Sequence, residues 1–106
     1  IGTIYAASKA GVHRFSQALS REWAPFNITV NCIAPGAFGP TESWYVPSWN
    51  ISREENEKSF EKVIRSVPLK RFGDTRELGM LTVFLASEAG GYVSGQVIAH
   101  DGGISA

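Results

Sequence analysis

The run Ile28–Ile33 constrains the fold of this chain more than any other segment. It is rich in β-branched residues and is followed by Ala34, Pro35 and Gly36, a pattern typical of a short buried strand that leads into a loop. Before it, apolar residues recur at steps of three and four from Tyr5 to Trp23. That spacing predicts an amphipathic helix. A helix followed closely by a buried strand indicates an α/β fold.

Two capping boxes predict the next two helices. Ser52 is followed three positions later by Glu55, and Pro68 stops the helix that they begin. Asp74 can cap the start of a third helix, and the Glu77 side chain can accept a bond from the Asp74 N–H. A glycine pair then ends that helix. Between the first strand and the second helix lies a segment of glycine, proline and aromatic residues without a period. We expect a functional loop there.

A second strand, Gln96–His100, completes the pattern, and a sharp Asp-Gly-Gly turn follows it. Strands linked by helices pair in parallel through a right-handed crossover. Parallel sheets are normally buried on both faces, and two strands alone would leave both edges unpaired. We therefore expect residues 1–106 to form a single segment of a larger α/β sheet, with two strands and about three main helices.

Charge and hydropathy exclude several classes of function. Ten basic residues balance ten acidic ones, so no overall field favours nucleic acid or an anionic membrane as a partner. No apolar stretch approaches the ~18 residues of a membrane span and no leader opens the chain, so we expect a cytoplasmic protein. His13 and His100 have no acidic or thiol partners at metal-ligand spacing. We therefore predict no metal site.

Tyr5 and Lys9 are the first candidates for chemistry. At positions i and i+4 their side chains share one face of a helix, and a nearby ammonium stabilises a phenolate. The same spacing occurs in many helices as a solvated face, so the pair gains weight only from its context. That context is the strand that ends at Pro35 and Gly36, because ligands of open α/β sheets bind at the carboxyl ends of the strands.

Six motifs follow one another along nearly the whole chain. They are YAASK, VNCIAPG, PLKRFG, FLAS, YVSGQ and DGG. This ordered set resembles the classical short-chain dehydrogenase/reductase family, which implies the carboxyl-terminal part of a Rossmann-like, doubly wound parallel sheet. It also implies hydride transfer between a secondary alcohol or carbonyl and NAD or NADP. The family's glycine-rich turn and active-site serine, which precede the tyrosine, do not occur in this sequence. We expect the glycine-rich, N-terminal cofactor-binding half to be absent.

The resemblance assigns roles to individual residues. Tyr5 would be the general acid and base and would also be a cofactor-binding residue. Lys9 would stabilise its phenolate and hold the nicotinamide ribose hydroxyls. Pro35 and Gly36 would border the nicotinamide, and the backbone of Phe38 would meet its carboxamide.

The loop after Phe38 completes the expected site. Family members commonly place a threonine against the cofactor phosphates. Pro40 stands at that spacing here, and Thr41, one position later, is the candidate. Trp44 and Tyr45 would wall an apolar substrate pocket, or would pack the loop against the body of the protein.

Two functions are compatible with the sequence. The first is an NAD(P)-dependent oxidoreductase of small-molecule alcohols and carbonyls, in which the whole protein is the enzyme and residues 1–106 alone are inactive. The second is a catalytically silent fragment that persists as an oligomerising module. By resemblance, the first helix and the last helix-strand unit form subunit contacts, and an unpaired strand edge favours assembly. We expect a homo-oligomer, either a dimer or a tetramer.

Overall fold

The computed structural model describes residues 2–39 and 52–106. Its main elements, in chain order, are α1 (Gly2–Trp23), β1 (Cys32–Pro35), α2 (Arg53–Ser66), α3 (Thr75–Ala86) and β2 (Val97–His100). Short 3-10 helices follow α1 and α3. The described helices include none that is both long enough and apolar enough to cross a membrane.

The first predicted helix is confirmed as α1. It begins at Gly2, ahead of the predicted Tyr5, and ends at Trp23. Pro25 then enters a 3-10 turn, Ala24–Phe26. Asn27 closes this turn with a φ of 58°, and its N–H donates to the Ala24 oxygen. Proline thus stops the α-helical ladder where the sequence predicts.

The strands β1 and β2 form a two-stranded parallel sheet, as predicted. At one end the Cys32 N–H donates to the Gln96 oxygen at 2.8 Å. At the other end the Gly36 N–H donates to the His100 oxygen at 3.0 Å. Because both partners advance along the chain in the same direction, the two strands end side by side at their carboxyl termini.

The start of β1 differs from the predicted strand Ile28–Ile33. The Val30 N–H donates to Ser94 Oγ at 3.2 Å, and the Gly95 N–H donates to the Val30 oxygen at 2.7 Å. Val30 therefore pairs with the turn that precedes β2 rather than with a strand. The regular ladder begins only at Cys32, where its partner strand is about to begin.

The predicted capping box of α2 is confirmed, and at α3 Asp74 caps the helix while Glu77 accepts a bond from the Asp74 N–H. At α2 the Ser52 N–H donates to Glu55 Oε2 at 2.9 Å, and the Glu55 N–H donates to Ser52 Oγ at 3.2 Å. At α3 the Asp74 N–H donates to Glu77 Oε2 at 2.8 Å. Asp74 Oδ1 accepts from the Arg76 N–H, also at 2.8 Å, so this cap engages the second helical residue rather than the third.

The described chain divides into two compact units. The first comprises Ile1–Ala34 with Met80–Ile98, and the second comprises Pro35–Gly79 with Ala99–Ala106. In the first unit, Ser20 on α1 is buried and its hydroxyl donates to the Gln17 oxygen at 2.8 Å. In the second unit, Val67 after α2 is 2% exposed and is the one large apolar side chain buried among the described residues.

Candidate active site

Tyr5 and Lys9 lie on the first turns of α1 in the first unit. Lys9 Nζ is 5.4 Å from the centroid of the Tyr5 ring, within the range of an attraction between an ammonium and an aromatic face. The predicted convergence of these side chains is confirmed. Tyr5 is 63% exposed, so a ligand can reach its hydroxyl.

Ser8, the neighbour of Lys9 in sequence, is engaged within the helix. Its hydroxyl donates to the Tyr5 main-chain oxygen at 2.7 Å. A serine bonded back onto its own helix does not present that proton to a substrate. The exposed pair on this turn therefore consists of a phenol and an ammonium.

Gly36 lies at the carboxyl end of β1 in the second unit, packed against Asp101. A Cβ built on Gly36 would lie 2.5 Å from the Asp101 Cβ and 2.6 Å from its Cα. Real Cβ atoms do not approach other atoms so closely, so this position requires glycine. The sequence predicts a close approach at this turn, and the structure shows that Asp101 is one of the groups that approach.

Phe38 follows that turn and forms a parallel bridge with Gly73. The Gly73 N–H donates to the Ala37 oxygen at 2.9 Å, and the Gly39 N–H donates to the Gly73 oxygen at 3.0 Å. In extended chain, successive peptide groups point to opposite sides, so the N–H and C=O of Phe38 point away from Gly73. Neither has a hydrogen-bond partner within residues 2–39 and 52–106.

Asp101 closes the turn that follows β2. Its Oδ1 accepts from the Gly103 N–H at 2.9 Å and its Oδ2 accepts from the Ser105 N–H at 2.9 Å. A hydrogen bond from the Ser105 side chain, followed by those from the backbone, holds the pKa of this carboxyl below its ordinary value. The charged carboxylate therefore fixes the segment against which Gly36 packs.

Arg71 and Glu77 hold the segment that contains Gly73. Arg71 Nη1 lies 2.8 Å from Glu77 Oε2, and Nη2 lies 2.7 Å from Oε1. The Arg71 hydrogen bonds, with a further bond from the Asp74 N–H, lower the pKa of Glu77 to about 2. Such a bidentate pair has a fixed geometry. It positions Gly73, which in turn holds the backbone on either side of Phe38.

Asn31 pins the start of β1 in the first unit. Its Nδ2 donates to the Val93 oxygen at 2.7 Å, and its Oδ1 accepts from the Gln96 N–H at 3.2 Å. Both bonds go to the main chain of the segment that precedes β2. Asn31 therefore has a structural role at the start of β1.

Three predicted site residues, Thr41, Trp44 and Tyr45, lie outside the described residues. The catalytic and cofactor-binding roles of Tyr5, Lys9, Pro35, Gly36 and Phe38 remain predictions. In the described ranges no group of three or more His, Cys, Asp and Glu side chains is placed to hold a metal ion.

Sequence reasoning missed the contacts of His100 and Asp101 with this turn. The available signal was the predicted parallel pairing, because the carboxyl ends of neighbouring parallel strands meet at one edge of a sheet. The residues that end the second strand therefore belong beside Pro35 and Gly36. Gly73 carried no such signal, since its bridge lies outside both strands.

Comparison with known proteins gives matches over nearly the whole chain. A family model described as enoyl-(acyl carrier protein) reductase matches residues 2–105. The chain is 44% identical over 103 residues to a 3-oxoacyl-(acyl-carrier-protein) reductase of Chlamydia muridarum, covering 97% of this chain and 38% of that protein. It is 36% identical over 105 residues to a tropinone reductase homolog of Arabidopsis thaliana, covering 98% and 37%. The chain spans less than two fifths of the length of these relatives.

Solved structures show the same fold. YwfH, described as an NADPH-dependent reductase involved in bacilysin biosynthesis, matches with a TM-score of 0.76 and 38% identity, over 90% of this chain and 37% of that one. RhlG of Pseudomonas aeruginosa, described as an NADP active-site complex, matches with a TM-score of 0.77 and 33% identity, over 96% and 38%. The predicted Rossmann-like α/β class is confirmed.

Proposed function

This chain belongs to the short-chain dehydrogenase/reductase family, and we propose that it is part of an NAD(P)-dependent oxidoreductase that interconverts a secondary alcohol and a carbonyl. The main support is the Phe38 backbone, whose N–H and C=O point away from Gly73 and have no partner within the described ranges. A carboxamide offers one acceptor and two donors. The nicotinamide carboxamide therefore complements these two main-chain groups.

The described turn fits a flat cofactor ring. The absence of a side chain at Gly36 lets the turn pack closely on Asp101, and the ring would border Pro35 and Gly36 from the other side. The turn is held from behind by Asp101 at Gly36 and by Gly73 on either side of Phe38. A preorganised backbone of this kind binds a ligand without ordering cost at the moment of binding.

Proton transfer in this proposal belongs to Tyr5 and Lys9. The nicotinamide supplies or accepts the hydride when it is bound. Tyr5 Oη donates a proton to the carbonyl oxygen in the reductive direction and accepts one from the alcohol in the other direction. The Lys9 ammonium, which lies over the Tyr5 ring, would favour the phenolate that remains through its positive charge and would hold the ribose hydroxyls.

The substrate is proposed only as a class. Similar proteins are named for 3-oxoacyl, tropinone and galactitol chemistry, and these names share an alcohol or carbonyl function. The catalytically silent module has no support from these three relatives, whose names describe reductases and a dehydrogenase. We therefore retain the enzyme as the single proposed function.

The test is Tyr5→Phe in the complete protein that carries this segment. Turnover is measured as the oxidation of NAD(P)H in the presence of a panel of ketones and 3-oxoacyl thioesters. It should fall by about 10²- to 10⁴-fold, because the proton donor is lost. Cofactor affinity should stay within about twofold of wild type, because the tyrosine hydroxyl contributes little to that binding.

The matched control is Tyr92→Phe. Tyr92 is fully exposed and lies just before β2, away from α1 in sequence. The same hydroxyl is removed, and activity should not change. Retained turnover in Tyr5→Phe would refute the assignment of Tyr5 as the proton donor.

A further inference from the structure

His100 contacts both ends of the turn that runs from Gly36 to Phe38. Its main-chain oxygen accepts from the Gly36 N–H at 3.0 Å. Its imidazole lies against the Phe38 ring, with centroids 5.3 Å apart and planes at 82°. Perpendicular packing of this kind is a favoured arrangement of two rings. One residue therefore holds the turn through its main chain at one end and through its side chain at the other.

An imidazole at position 100 would reduce the stability of the fold if packing were its only role. His100 Nδ1 is buried, and the described part of the chain gives it no hydrogen-bond partner. A buried polar atom without a partner destabilises a fold, whereas a phenyl ring would contact Phe38 without that penalty. Departures from local packing rules are expected chiefly at functional sites.

A cavity of about 210 Å³ lies beside this contact. Phe38, Val67, Leu69 and His100 contribute to its lining, and so does the Arg71–Glu77 pair. Because this space is open, the Phe38 ring lacks packing on that side. The ring also lies against Gly73, where an added Cβ would be 2.6–2.9 Å from three of its carbon atoms. His100 therefore shares the restraint of the ring with Gly73, whose bridge also restrains the backbone.

We propose that His100 is a positioning residue, which orients the Phe38 backbone toward the nicotinamide carboxamide. The inference rests on the proposed function. In this account His100 touches neither cofactor nor substrate. If its ring is lost, the Phe38 side chain loses one of its two contacts beside the cavity, and the Gly73 hydrogen bonds alone then direct the N–H and C=O that meet the carboxamide.

The test measures two ligands on the complete protein with His100→Ala. The first is NAD(P)H. The second is ADP-ribose, or its 2′-phosphate for an NADP enzyme, which contains the adenosine half but no nicotinamide. Affinity for NAD(P)H should fall about threefold to tenfold, as the loss of an aromatic pair implies, and affinity for ADP-ribose should not change. The KM for the cofactor should rise with little change in kcat at saturation.

Several outcomes would overturn the inference. Equal losses for both ligands would show general damage to the fold, and unchanged binding of both would show that the ring is not needed. If wild-type protein bound NAD(P)H no more tightly than ADP-ribose, the nicotinamide would contribute nothing to binding. That result would contradict the proposed function itself. That failure is visible before any variant is made.

A conservative variant separates the ring from its nitrogen. His100→Phe keeps the contact with Phe38 and removes the buried Nδ1, so NAD(P)H affinity should return to within about twofold of wild type. A loss in His100→Phe as large as that in His100→Ala would assign the role to the nitrogen and refute ring positioning. His13→Ala, at the half-buried histidine of α1, is the matched control and should leave both affinities unchanged.

Discussion

At the scale of single residues, Gly36 has the tightest surroundings in the candidate site. An added methyl group would overlap the Cα and Cβ of Asp101. The Asp101 carboxylate is itself bonded to the backbone of residues 103 and 105, so it cannot move aside cheaply. The overlap must therefore be relieved by moving the turn that precedes Phe38.

We predict that Gly36→Ala destabilises the protein by about 1–3 kcal/mol, the usual cost of forcing extra atoms into a packed site. Denaturant unfolding measures this cost, and the affinity for NAD(P)H should fall with it. Gly39→Ala is the control in the same segment, since its nearest atoms would lie 3.7 Å and 3.9 Å from the new Cβ. If both variants had the same stability, the steric account of Gly36 would be wrong.

The sequence predicts part of this detail. The convergence of Tyr5 and Lys9 follows from helical spacing alone, and the structure confirms it. The contact of Gly36 with Asp101 depends on the register of two strands that lie far apart in the chain. The direction of the Phe38 N–H and C=O, away from Gly73, depends on a bridge to Gly73, which no local pattern encodes. Helical spacing and the parallel pairing of the strands were therefore predictable, whereas the contacts that depend on exact register and on the Gly73 bridge were not.

At the scale of elements, the Arg71–Glu77 pair links the start of α3 to the segment that holds Phe38. The depressed pKa of Glu77, about 2 against an ordinary 4.5, means that the folded state favours the charged carboxylate. The pair therefore stabilises the fold above pH 4.5, and this contribution is lost as the pH falls from 4.5 towards 2.

We predict that Glu77→Gln is less stable than wild type at neutral pH. The difference should shrink as the pH falls through that window, as thermal unfolding at a series of pH values will show. Glu61→Gln is the control, because its ion pair with Arg65 is long, at 3.8 Å, and exposed. A stability difference for Glu77→Gln that is constant down to pH 2 would contradict the assigned cause.

The capping box of α2 gives a second prediction for an element. Ser52→Ala removes the acceptor of the Glu55 N–H and should cost about 1 kcal/mol of stability, with a loss of helical circular dichroism. Ser59→Ala, in the middle of the same helix, removes only a bond back to the Glu55 oxygen and should be nearly neutral. Equal effects at the two serines would argue against a capping role.

The boundaries of the helices and strands show which features sequence patterns predict and which they do not. Capping boxes and proline stops are local, so the predicted starts of α2 and α3 agree with the structure. The glycine pair at residues 90 and 91 is not the end of α3, which stops at Ala86 before a separate 3-10 turn. A strand is defined by its partner. β1 begins at Cys32 because the segment opposite Val30 is a turn.

At the scale of the whole chain, apolar side chains remain exposed on two helices. On α1 these include Ile4, Val12 and Phe15, and on α3 they include Met80, Val83 and Phe84. Phe15 is 63% exposed and Val83 is 69% exposed. Exposed apolar side chains in this number on a helix often mark a place where protein packs against protein.

We predict that residues 1–106, produced alone, bind a hydrophobic dye strongly and unfold over a broad temperature range. The reason is that Val67 is the one large apolar side chain buried among the described residues, and cooperative unfolding depends on such burial. The complete protein should show weak dye binding and a sharp transition. Within the short chain, a Phe15→Gln, Val83→Gln variant should bind less dye. A monomeric short chain, verified by sedimentation, with a sharp transition and no dye binding would contradict this prediction. A homodimer with those properties would instead show that a second copy covers the two faces, as the expected homo-oligomer requires.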